Sequence, residues 1–135
     1  MKVTDLMVGD WVNVNEINLK VGAIHADEIG VFDPDYKIYW CSDDEFDRID
    51  PIHLTEDILV KNGFVYREAE ETCATVAYHH WQLDGHWFAL NYTQYFRKEK
   101  RDDMPRFDVA GIAIHYVHQL QHLLRLCGIE KELTI

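Results

Sequence analysis

Four short runs of β-branched and aromatic residues crowd the first fifty positions. They cover residues 11–14, 20–25, 28–32 and 38–41, and Asp, Asn, Gly or Pro separates each from the next. The first, Trp11-Val12-Asn13-Val14, alternates apolar with polar. Strands packed so closely predict a small, strongly twisted sheet or an SH3-like barrel.

The pattern changes after residue 50. Thr55 is placed to cap a helix, and Glu56 and Asp57 sit in its first turn, where the helix dipole favours anions. Ile58 and Leu59 face inward, and Lys61 followed by Asn62-Gly63 ends the helix after about two turns. A hairpin comes next, with strands over residues 75–83 and 86–92 on either side of Asp84-Gly85, a dipeptide suited to a type I′ turn. With those two residues as the loop, Trp81 opposes Phe88 and His79 opposes Leu90, which makes one face almost wholly apolar or aromatic. Residues 93–96 extend the second strand, residues 97–103 read as a polar loop, and a further strand runs over about residues 109–114. A last helix spans about residues 116–127 and is closed by Gly128. Tyr116, Leu120, Leu123, Leu124 and Cys127 make its apolar stripe, which is expected to cover the hairpin sheet. The expected fold is α+β, one domain over residues 1–135, with a strand-rich part over 1–50 and the helix, hairpin, strand and C-terminal helix over 51–135.

A chain of 135 residues, 47% of them hydrophobic, can bury its own core without disulfides or metal. The net charge of -11 opposes contact with nucleic-acid phosphates or anionic lipid, so neither direct nucleic-acid binding nor a membrane partner is expected. It fits a solvated acidic surface, a basic partner or imitation of nucleic acid. The cysteines, Cys41, Cys73 and Cys127, are odd in number, widely spaced and without a CxxC pair, as expected of reduced thiols. No apolar run approaches the ~20 residues of a membrane span, and no signal-peptide stretch follows Met1. A cytoplasmic protein is expected.

Residues that could carry chemistry fall into separate groups. His118 and His122 are four apart on the last helix, on a stripe roughly opposite the apolar one, so they are expected to face solvent or a partner. Two imidazoles at that spacing can hold zinc, but no third ligand is evident and HExxH is absent, so they make only a weak metal pair. His79 and His86 share the aromatic face of the hairpin, where packed, hydrogen-bonded imidazoles are the ordinary reading and an acid/base pair the functional one. The run Asp43-Asp44-Glu45, with Asp47 and Asp50, lacks the glycine and ligand spacing of an EF-hand and reads as an exposed turn. There is no GxSxG, Walker A or GxGxxG motif, and the single serine, Ser42, stands beside that acidic run. Cys73 lies near Glu70 and Glu71, which oppose thiolate formation. Trp87, with Tyr78 and Ala89 on the more polar hairpin face, is the best candidate for an exposed anchor.

Three stretches together carry a resemblance: Leu6-Met7-Val8-Gly9-Asp10-Trp11-Val12, the segment from Ile49 to Phe64, and Tyr116-Val117-His118-Gln119-Leu120-Gln121-His122-Leu123. They resemble a family of small uncharacterised proteins of Bacteroides-type bacteria and their prophages. The resemblance leaves out the central hairpin and implies mobile-element origin and bacterial cytoplasm, with no catalytic residues. That family usually has proline where His53 stands and asparagine where His122 stands. This leaves His118, Gln119 and Gln121 as the motif's polar residues, to cap strand ends or meet a partner.

Three functions follow as expectations. The first is a non-enzymatic accessory module that binds a protein partner or a second copy of itself, through Trp87, Tyr78, His118, Gln119 and Gln121 and without a cofactor. The second is an acidic nucleic-acid mimic directed against host defence. The third is a metal- or histidine-dependent enzyme.

Overall fold

The computed structural model describes residues 5–35, 37–68, 79–92, 107–109 and 112–135. It is an α+β protein with two antiparallel five-stranded sheets and two α-helices among those residues. The chain divides into two compact units, Met1–His53 with Tyr116–Lys131, and Leu54–His115 with Glu132–Ile135. The C-terminal helix thus groups with the N-terminal strands.

The first sheet contains β1 (Trp11–Val14), β2 (Ile17–Ile24), β3 (Glu28–Phe32), β4 (Ile38–Ser42) and β5 (Ile49–Pro51), in the order β4-β3-β2-β1-β5. A meander whose last strand returns beside the first is the SH3-like strand order. Four of these strands fall on the runs expected from sequence, and β5 is an addition. Type I′ geometry occurs here, between Val14 and its partner Ile17, where Asn15 and Glu16 both have positive φ (49° and 68°). β2 carries a bulge between Val21 and Ala23, which admits Gly22 as an extra residue and keeps Ile24 on the core side. Val12, Val14, Leu19, Val21, Ile29, Val31, Cys41 and Ile49 are buried together on one face. The acidic run forms a 3-10 helix, Asp43–Arg48, whose Phe46 packs on that core.

The second unit starts with α1 (Glu56–Lys61). Thr55 Oγ1 accepts from Ile58 N–H at 3.3 Å, and Gly63 takes φ +82° past the helix end, as expected. Asn62 is buried and ties down the tail: its Nδ2 donates to Ile58 and Thr134 carbonyls at 2.7 Å, and its Oδ1 accepts from Thr134 N–H at 2.7 Å. The sheet has the order β10-β9-β8-β7-β6 and comprises β6 (Phe64–Glu68), β7 (His79–Leu83), β8 (Ala89–Tyr92), β9 (Phe107–Val109) and β10 (Ile112–Ile114). Sequence reasoning missed β6, and it joined β9 and β10 into one strand where Val109 in fact pairs with Ile112 across a hairpin. Residues 75–78 and 93–103, expected as strand and loop, lie outside the described residues.

The β7–β8 turn also differs from expectation. His86 N–H donates to Leu83 C=O at 3.1 Å, but of the two central residues only Gly85 has positive φ (+77°), so the turn is not type I′. Leu83 N–H bonds Phe88 C=O at 3.0 Å, which makes residues 84–87 a four-residue loop. Trp81 therefore opposes Leu90, not Phe88, and His79 opposes Tyr92. A shift of two residues preserves the side each residue faces, and Trp81, Leu83, Phe88 and Leu90 are all buried.

α2 (Val117–Leu126) ends in a Schellman motif. Ile129 N–H reaches Leu124 C=O at 2.9 Å and Gly128 N–H reaches Arg125 C=O at 3.0 Å, with Gly128 at φ +71°. Leu120 and Leu124 of its apolar stripe are fully buried. No helix of the described residues is long and apolar enough to cross a membrane.

Candidate functional site

The polar face of α2 is only partly open to solvent. His118 and Gln121 are buried, and the face grips the turn that leads into β1. Gly9, at φ +93°, lets that turn reverse, and Asp10 N–H closes it on Met7 C=O at 3.1 Å. Gln121 bridges its backbone, with Trp11 N–H donating to Oε1 at 2.9 Å and Nε2 donating to Gly9 C=O at 3.0 Å. Asp10 is fully buried. Its Oδ2 accepts from Met7 N–H at 2.7 Å and from His122 Nε2 at 2.6 Å, while Oδ1 lies 3.5 Å from Arg125 Nη1. Arg125 Nη2 adds a bond to Val8 C=O at 3.1 Å. Gln119 accepts from Tyr116 N–H at 3.1 Å and caps the helix.

Gln121 caps the start of β1 at Trp11, one of the two roles expected of the motif's polar residues, but sequence reasoning missed the Asp10–His122 pair, whose partners stand more than a hundred residues apart. The available signal was that two of the stretches singled out above, residues 6–12 and 116–123, are the two halves of this clasp.

Tyr116, His118, Gln119 and His122 line an open pocket of about 730 Å³ with Asp5, Met7 and Pro51. His118 stacks on Tyr116 (ring centroids 5.7 Å, 9°) and meets His122 edge-on at 5.7 Å. Burial pushes the His118 pKa below the usual imidazole value, Asp10 pulls it up and His122 lowers it further. The Asp10–His122 pair has the polarity of a general base, but among the described residues the pocket lining contains no Ser, Thr, Cys or Lys to activate. Among the described residues no three His, Cys, Asp or Glu side chains converge as a metal site would require.

The hairpin candidates separate. His86 is exposed in the 84–87 loop and so leaves the aromatic face assigned to it, while Tyr78 lies outside the described residues. Trp87 is 75% exposed, in that loop and not on a strand, with its ring edge-on to Phe88. Cys41 and Cys127 are free thiols, and burial pushes the Cys41 pKa up, with Glu45 adding to the rise.

An unexpected surface lies on the outer face of the first sheet. Trp11, Lys20, Phe32 and Ile38 form one cross-strand row, and Gly30 and Trp40 pair in the next. Glycines let the rings lie against the backbone: a Cβ on Gly30 would stand 2.8 Å from Ile38 Cγ2 and 3.1 Å from Trp40 Cζ3, and one on Gly22 would stand 2.7 Å from Phe32 Cε2. His25 meets the Trp40 ring edge-on at 5.1 Å. Lys20 Nζ sits 5.1 Å above the Trp11 ring, so a cation already rests on this face.

Among the described residues β4 is an edge strand, and Ile38, Tyr39 and Trp40 are 44%, 48% and 40% exposed. Asp33 N–H bonds Lys37 C=O at 2.8 Å, and the antiparallel ladder alternates from there. Tyr39 and Cys41 therefore bond β3, whereas the backbone groups of Ile38, Trp40 and Ser42 point to the free edge. At the far end of the row, Ser42 Oγ bonds Asp44 Oδ1 at 2.6 Å and Glu45 Oε1 at 3.0 Å, and Glu28 stands opposite Ser42. Arg48 offsets Glu45 at 3.9 Å. Residues 1–53 hold 12 Asp and Glu against 4 Lys and Arg, so -8 of the chain's -11 lies there. Natural edges are usually blunted with lysine, proline or a covering loop, and this one offers aromatic side chains and open backbone.

Neither the protein-family models nor the curated proteins nor the solved structures compared with the chain match it.

Proposed function

We propose that the protein is a non-enzymatic module that binds another protein through the β3–β4 face of its first sheet. The observation that carries this reading is the open β4 edge, where Ile38, Tyr39 and Trp40 stand exposed beside backbone groups that no described strand pairs. Apolar side chains on an uncovered edge are the arrangement that β-strand addition uses. The setting, an accessory protein of a bacterial mobile element or prophage working in the cytoplasm, rests on the resemblance of the three stretches. A nucleic-acid mimic is less well supported, because aromatic rings and Ile38 interrupt the acidic surface that phosphate imitation needs.

Panning a random-peptide display library against the full chain tests the reading. Enriched peptides are expected to lose binding to Trp40→Ala and to keep it against Trp87→Ala. A library that enriches nothing, or only peptides indifferent to Trp40, overturns it.

A further inference from the structure

The occupant of the β4 edge can be specified further, and the inference rests on the binding reading above. We infer that it is an extended segment with Lys or Arg at alternate positions, adding to β4 as a sixth strand. Three independent features point there.

The backbone groups of Ile38, Trp40 and Ser42 point outward, and the side chains of the same three residues lie on the outer face. A strand added along β4 therefore places every second side chain of its own beside that row. The row offers the part-exposed Trp40 ring and ends at Glu28 and the carboxylates held by Ser42. A basic side chain satisfies both, because its apolar stem lies along Ile38 and Trp40 while its charge meets a ring face or a carboxylate. Lys20 on Trp11 shows the same pairing within the chain. Finally, the surplus of carboxylates in residues 1–53 attracts a basic segment over distance and repels an acidic one.

Synthetic peptides of about ten residues, long enough to span a strand, provide the test. One alternates Thr with Lys, one Thr with Ser and one Thr with Glu. A fourth is the Lys peptide N-methylated at alternate residues, which keeps the charge and removes the edge hydrogen bonds. Titration of the full chain by calorimetry is expected to show the Lys peptide binding about tenfold more tightly than the Ser peptide, as one ring contact and one partly shielded ion pair imply. The Glu peptide and the N-methylated peptide are expected to bind more weakly than either, and Trp40→Ala to lose the preference for Lys. Equal binding of the Lys and Ser peptides overturns the basic occupant and leaves strand addition standing. Equal binding of the Lys peptide and its N-methylated form overturns strand addition, because charge alone then suffices. If none of the peptides binds while the display library still yields Trp40-dependent binders, the occupant is wrong and the module reading survives. If both fail, the module reading fails with it.

Discussion

The polar face of α2 and the outer edge of the first sheet invert the usual arrangement of side chains. At the helix, Asp10, His118 and Gln121 are buried, while at the sheet edge Ile38, Tyr39 and Trp40 stand in solvent. Both sets depart from the rule that apolar groups go inside, and they do so for opposite reasons. Gln121 and Asp10 satisfy backbone groups of the turn at Gly9 that the fold cannot leave unpaired. At the edge, the backbone groups of Ile38 and Trp40 point away from β3, and their side chains stay part-exposed. Change is expected to be expensive at the helix and cheap at the edge.

The largest effect is expected at Asp10. Asp10→Ala leaves His122, Arg125 and the Met7 N–H without their shared acceptor. Breaking a buried pair from one side costs about 3–5 kcal/mol, and the lower end applies because His122 and Arg125 both reach solvent. Urea unfolding should show a loss of about 3 kcal/mol for Asp10→Ala. A loss below about 1 kcal/mol, the range of an exposed ion pair, would mean that the clasp is not structural.

Gln121→Leu comes next. It keeps much of the side-chain volume but removes the two bonds that Gln121 makes to Trp11 N–H and Gly9 C=O. Each lost hydrogen bond costs about 0.5–1.5 kcal/mol net, so a total of about 2 kcal/mol is expected. An unchanged urea midpoint would show that these bonds contribute nothing net.

How legible each region was in sequence follows from how local its causes are. β3 was legible to the residue, since Glu28–Phe32 is a β-branched and aromatic run bounded by breakers. α1 was legible through Thr55, its acidic first turn and Gly63. The hairpin faces were legible although the register was not, because two-residue periodicity survives a shift of two. β6 was hidden directly behind the Asn62-Gly63 stop, where the end of the helix drew the eye away from Phe64–Glu68. The clasp was illegible for a stronger reason. A polar stripe at helical spacing looks the same whether water or a distant turn satisfies it, and here the partner is Gly9-Asp10. The open edge was equally hidden, because strand order, and not the strands themselves, decides that β4 has one neighbour among the described strands.

His118 tests the helix side by pH. Burial lowers its pKa in the folded chain, so between that lowered value and the unfolded value of about 6.5 the unfolded chain binds the extra proton. Stability from the neutral ring is therefore full above pH ~6.5 and is lost as pH falls from there through the lowered folded value. The urea midpoint of the wild type should drop between about pH 7.5 and pH 5.5, which bracket that value, and His118→Asn should drop less. Equal drops would place the acid sensitivity elsewhere.

The smallest change is expected at Trp40, and it is the sharpest test of the contrast. Trp40→Ala removes a ring that is 40% exposed and covers Gly30 across the strand pair. A cross-strand pair contributes roughly 0.2–1 kcal/mol, so unfolding should move by no more than that. The Gly30 backbone stays bonded to its neighbours whether or not the ring covers it, which is why so little is expected. If the ring were instead a structural cover for the sheet, its removal would open the face to water and cost about 3 kcal/mol or more, as at other tryptophan sites in cores. A loss of that size would make Trp40 a core residue at the margin and remove the reason to treat the edge as a surface for a partner. A small loss in stability, together with lost peptide binding, would place Trp40 on the opposite side of the comparison from Asp10.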